Sequence, residues 1–204
     1  MLTISDGTNL VSLSDGGTGS INFDSATDPT WNLAGGWLLN IELATTQPLT
    51  GTVNSPDLHL TVAAYGKGTL HVTFTDPDFV GSGLTELLTQ VGGVVGSGGG
   101  NSVTFDSSSS AGSLASFGPS GSGAFSDASS ALQSLTGPYA LTLATTFTNS
   151  VAATSSLDAS VAVPEPGTWA LLGAGLLVWG FLGRGRLGAA LQRSAVTRRA
   201  VHRR

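Results

Sequence analysis

Between residues 57 and 76 the chain alternates apolar and polar side chains almost without interruption. In "DLHLTVAA" Leu58, Leu60 and Val62 fall on one side, with Asp57, His59 and Thr61 on the other. In "GTLHVTFTD" Leu70, Val72 and Phe74 oppose His71, Thr73 and Thr75. A period of two fits an extended strand with one face buried and cannot keep one face of a helix apolar. The intervening "GKG" predicts a hairpin with a three-residue loop centred on Lys67, which sets Leu60 opposite Phe74 and Val62 opposite Val72.

The same reading extends over residues 1–160. Short β-rich runs occur at 2–5, 9–13, 19–24, 37–43, 102–106, 139–148 and 156–163, separated by turn-forming "SDGTN", "SDGGTG", "TDPT" and "GPY". Short strands at this spacing predict an all-β domain, an antiparallel β-sandwich of jelly-roll or immunoglobulin-like topology. "LTELLTQV" (84–91) is ambiguous and reads equally as a helical turn. Residues 96–130 hold 21 Gly or Ser in 35, the composition of a flexible excursion, with an edge hairpin through "SVTFD" and "GAFSD".

Charge divides the chain more sharply than its net value of −5 shows. All thirteen carboxylates lie between Met1 and Glu165, with Lys67 as the one cation there; Arg184 to Arg204 holds seven arginines, His202 and no carboxylate. There is no cysteine, which excludes disulfides and thiolate chemistry. Charged residues at 10% with hydrophobic residues at 40% do not describe a disordered chain.

The boundary between the two halves is the uncharged run from Gly167 to Gly183. Seventeen residues of helix at 1.5 Å each reach roughly 25 Å, near the ~30 Å hydrocarbon core of a bilayer. Trp169 and Trp179 sit towards its ends, where indoles favour the membrane interface, and Arg184 and Arg186 follow. The run carries no polar stripe of the kind a soluble core helix needs, so a single C-terminal transmembrane helix over 167–183 is predicted. The positive-inside rule places the basic tail, 184–204, in the cytoplasm and the acidic domain on the far side. The tail lacks interleaved aromatics and reads as a topology determinant touching anionic lipid, not as a nucleic-acid patch.

Three features stand in order within about 25 residues: Val163-Pro164-Glu165-Pro166 in the 161–166 linker, the short apolar span, and the arginine cluster. Together they resemble the PEP-CTERM sorting signal of exported bacterial proteins. The resemblance implies export, transient retention in the inner membrane, and processing near Pro-Glu-Pro by an exosortase, whose catalytic residues belong to that enzyme. The mature protein would then reside in the cell envelope or outside the cell. The opening "LTISDGTNLVSLSDGGTGSINF" resembles, more loosely, the start of other exported proteins with this tag and implies a similar β domain. The resemblance also implies a secretory leader. "MLTISDGTNLVSL" has neither a basic region nor an apolar one, so the true start is expected upstream of Met1. The segment after the span, some 21 residues, is also longer than the handful usual in the family.

No nucleophile elbow, zinc-protease motif or P-loop is present. In the hairpin register His59 and His71 lie roughly 13 Å apart, too far to share a metal at about 2 Å per bond, and read as solvated strand residues. Asp76 and Asp78, with Asp6 or Asp15, offer too few oxygens for calcium and read as an acidic turn. Of the aromatics Trp31, Trp37, Tyr65 and Tyr139, Trp37 is expected in the core and Trp31 of "DPTWN" at the surface, a candidate sugar contact. No catalytic, cofactor or metal residue is assigned. The expected function is a non-enzymatic envelope or extracellular-matrix protein; the alternatives are a carbohydrate-binding or adhesive module contacting polysaccharide and, behind it, an exported hydrolase.

Overall fold

The computed structural model describes residues 1–32, 36–119 and 121–164. Among these residues eight strands follow one another: β1 (Leu2–Ser5), β2 (Leu10–Leu13), β3 (Ser20–Asp24), β4 (Trp37–Thr45), β5 (Asp57–Val95), β6 (Ser102–Ser109), β7 (Gly112–Phe117) and β8 (Gly123–Ala162). Every pairing between them is antiparallel, and no helix occurs among the described residues. The all-β, antiparallel expectation holds.

The scaffold is a two-stranded ribbon made by β5 and β8. Residues 57–66 pair with 153–162, 68–76 with 141–149, and 79–95 with 123–139. The ribbon then curls onto itself, since 88–94 also pair with 156–162. Residues 153–162 therefore run between 57–66 on one side and 88–94 on the other. β4 extends this part of the sheet on 57–66, with β3 outside it. β1 joins 68–76 with β2 outside it, and β6 joins 141–148 with β7 outside it.

Strands of 39 and 40 residues far exceed the usual 3–10, so they must bend. One bend lies at Gly66-Lys67-Gly68. The partner strand places residues 150–152 opposite Lys67 alone, because Gly66 faces Ala153 and Gly68 faces Asn149. Asn149 Nδ2 donates to the carbonyls of Gly66 and Ala153, each at 3.0 Å, and so occupies backbone acceptors that the broken ladder releases. Gly66 is required here, since a Cβ would stand 2.6 Å from the Trp37 ring.

The predicted hairpin around Lys67 is thus a corner. Leu60 faces Ala44 and Ala159, and Phe74 faces Leu2 and Leu143. The parity rule that admits the hairpin admits this pairing equally, because residues 139–163 carry their apolar side chains at odd positions: Leu58 meets Val161, Val62 meets Leu157, Leu70 meets Phe147. The longer pairing gives both runs a partner, whereas the hairpin would leave 141–162 without one.

Two further expectations change. Residues 84–91 are strand throughout. The Gly/Ser-rich 96–130 stretch is not a flexible excursion but contains β6, β7 and the start of β8. "SVTFD" pairs with β7 and 144–148, while "GAFSD" pairs with 91–95. Composition misleads because the ladder is made by backbone, and a few side chains (Val103, Phe105, Leu114) suffice to seat these strands on the core. Buried side chains from every strand, including Trp37, Phe74, Phe79, Phe105 and Phe147, form one cluster. Among the described residues no helix is long and apolar enough to cross a membrane; the predicted span, 167–183, lies outside them.

Candidate functional site

Two places carry the functional argument: the end of β8, where the sorting motif begins, and a groove on the outer face of the curled ribbon. At the first, Val161 is fully buried, and Ala162 pairs with Asp57 on one side and Leu88 on the other. Val163 N donates to Pro56 O at 3.2 Å, and its side chain packs against the core. Pro164 ends the described residues. The motif therefore starts on a strand held from both sides, with no spacer between domain and tag. Glu165, Pro166, Trp169, Trp179, Arg184 and Arg186 lie outside the described residues.

Trp31 is not a surface ring. It is 4% exposed, its Nε1 donates to Trp37 O at 3.0 Å, and its ring meets Phe23 edge-on at 5.8 Å. "DPTWN" reads as an exposed turn, and its polar residues do make one. Asp28 accepts from the Thr30 hydroxyl and amide, which hold its carboxyl below the usual value of 3.8. That turn tips the indole inward, so the sugar contact expected at Trp31 is withdrawn. Trp37 is buried as expected, and Tyr139 is buried against Phe79. Tyr65 is 47% exposed.

Asp15, Asp76 and Asp78 do line a common cavity of about 340 Å³, but Asp6 does not. The Asp76 carboxylate is buried and already accepts from the Thr46 hydroxyl and Asp78 N; Asp15 accepts from Gly19 N at 2.9 Å. Asp6 serves the amides of Thr8 and Asn9. Among the described residues no group of three or more His, Asp or Glu is placed to hold a metal. His59 and His71 sit on different stretches of the ribbon, not on one hairpin. His71 bonds the Thr146 hydroxyl at 2.9 Å, and His59 Nε2 bonds Asp158 Oδ1 at 2.9 Å.

The Asp158 carboxylate leads to the groove. Two rows cross four neighbouring strand stretches: Thr61–Asp158–Gly92–Ser126, and His59–Ser160–Gln90–Ala128. Over them lies a cavity of about 770 Å³, lined among others by Gln90, Gly92, Ser126, Asp127, Asp158 and Ser160. No motif marks it, because its walls come from three distant parts of the sequence. The one available signal was the pair of glycines inside an otherwise β-forming run, "TQVGGVV".

The PEP-CTERM protein-sorting motif matches residues 162–186. Among curated proteins nothing matches the chain. Among solved structures it is similar to the enzymatically active domain of bacteriophage CBA120 tailspike protein 4, at 11% identity and TM-score 0.31, over 65% of this chain and 20% of that one. It is similar also to TmCBM61 in complex with beta-1,4-galactotriose, at 9% identity and TM-score 0.35, over 68% and 97% of the two chains. A third is a structure of infectious bursal disease virus Gx strain, at 12% identity and TM-score 0.35, over 82% and 56%. The chain thus spans about a fifth of the first and just over half of the third. Likenesses this distant establish neither fold nor function, and the assignment rests on the C-terminal motif: the chain carries a PEP-CTERM protein-sorting motif at residues 162–186.

Proposed function

We propose that the chain is a non-enzymatic exported protein whose β domain is delivered to the cell envelope or extracellular matrix by its C-terminal signal. The motif implies export and processing by an exosortase-type membrane enzyme. The observation that carries the reading is the junction: the motif opens at the last residue of β8, so the folded unit and the signal are contiguous. On this reading residues 167–183 form a transmembrane helix with Trp169 and Trp179 at its interfaces. Arg184 and Arg186 contact lipid headgroups, and residues 184–204 remain cytoplasmic. Residues 1–160 form a β-sandwich of jelly-roll or immunoglobulin-like topology, and the expected 161–166 linker shortens to Val163-Pro164-Glu165-Pro166, since Val161 and Ala162 belong to β8. A non-enzymatic role is supported by the use of Asp6, Asp15, Asp76, Asp158, His59 and His71 in structural hydrogen bonds.

Alkaline carbonate extraction of cells expressing the full chain tests the anchoring. The chain is expected in the membrane pellet, and a chain lacking residues 167–183 in the supernatant. Release of both by carbonate would contradict the reading.

A further inference from the structure

Gly92 and Gly93 are neighbours on β5 with opposite requirements. At Gly93 a Cβ would lie 2.1 Å from Ser156 O, so no larger residue fits. At Gly92 a Cβ would meet nothing nearer than 3.5 Å, and the backbone there is not in the left-handed region that favours glycine. A glycine inside a strand loses packing and costs conformational entropy. Gly93 has a steric reason to be glycine and Gly92 has none within the fold. What the missing side chain leaves open is the groove, because Gly92 stands between Asp158 and Ser126 on its two neighbouring strands.

The surrounding chemistry is specific. Asp158 is oriented by His59 at Oδ1, 2.9 Å, and by the Thr61 hydroxyl at Oδ2, 3.3 Å, and each oxygen keeps a second lone pair. The side chains of Gln90, Ser126 and Ser160 line the cavity and contribute an amide and two hydroxyls, groups that both donate and accept. Among the described residues no Lys or Arg lines the cavity, and the acidic surroundings oppose a polyanion. A hard cation wants six to eight oxygens. The groove offers two carboxylates, Asp158 tied to its neighbours and Asp127 accepting from Ala128 N at 2.8 Å. Apolar ligands meet amide, hydroxyl and carboxylate. The width, three adjacent strands, is about 10 Å.

The geometry points to a binding groove for a neutral, hydroxyl-rich glycan chain, floored by Gly92 and hydrogen-bonded by Asp158, Gln90, Ser126 and Ser160. This goes beyond the sorting function, and its test is independent of processing. Saturation-transfer NMR on the full-length chain in detergent micelles is the measurement, with cellohexaose, maltohexaose and laminarihexaose as probes at millimolar concentration. Transfer to at least one probe is expected. Gly92→Val, which fills the floor, and Asp158→Asn, which keeps the shape, should each weaken it about tenfold or more. If Gly92→Val fails to fold, as judged by its near-ultraviolet circular dichroism, Asp158→Asn alone decides. The proposal is overturned by no transfer to any of the three, by binding that survives in the folded variants unchanged, or by calcium chloride displacing a bound probe.

Discussion

Two stretches of the β5/β8 ribbon, 57–76 and 80–86, share one hydrogen-bonding pattern and differ in burial and in neighbours. Along 57–76 the inward residues Leu58, Leu60, Val62, Leu70, Val72 and Phe74 are fully buried, and β1, β4, β6 or the curled-back 88–94 pair on the outside. Along 80–86 no residue is buried, Leu84 is 71% and the facing strand's Leu132 62% exposed, and no further strand pairs with 79–87 among the described residues. The ladder therefore leaves the core over 80–86 and returns to it at Leu87, Val91 and Val95. Alternation in a sequence reports a face buried by neighbouring strands; it does not report the strand itself.

The largest effect should come from the buried stretch. Phe147→Ala is expected to cost about 3–5 kcal/mol in chemical denaturation followed by tryptophan fluorescence. A loss below about 1 kcal/mol would place Phe147 outside the core. Gly93→Ala forces its Cβ onto the Ser156 carbonyl and should cost about 1–3 kcal/mol, whereas Gly92→Ala should stay within about 0.5 kcal/mol. Equal losses at the two positions would remove the distinction between them. Asn149→Ala should cost about 1–3 kcal/mol, because the carbonyls of Gly66 and Ala153 lose their buried donor. Leu84→Ser, on the open stretch, should change stability by no more than about 0.5 kcal/mol. Burial raises the Tyr139 phenol above its ordinary 10.0. The unfolded chain then ionises first as pH climbs, so the stability this burial gives is intact below pH 10 and drains away above it. Tyr139→Phe should abolish that alkaline decline in a denaturation series.

Much of the buried stretch was legible before the structure. β1, β3, β4, β6 and both halves of the corner appear as alternating runs, and Trp37 as a core residue. Pairing was not legible, because parity constrains which residues share a face and leaves the partner free; Leu60 opposite Phe74 and Leu60 opposite Ala159 satisfy it alike. The Gly/Ser-rich region was misread because small polar side chains say little about a ladder held by backbone. Trp31 was misread because the polar turn around it hides an inward indole. The sorting motif was legible as consecutive residues, while the groove joins positions 90–93, 126–128 and 158–160, which only the fold brings together.

The most direct test of the account is the intact mass of the mature protein from cells that contain an exosortase, beside a variant with Pro164, Glu165 and Pro166 all changed to Ala. The wild-type chain should have lost the segment that follows Pro-Glu-Pro and retained all of β8, while the variant keeps its C-terminal arginines. A wild-type protein that still ends at Arg204 at its final location would contradict it.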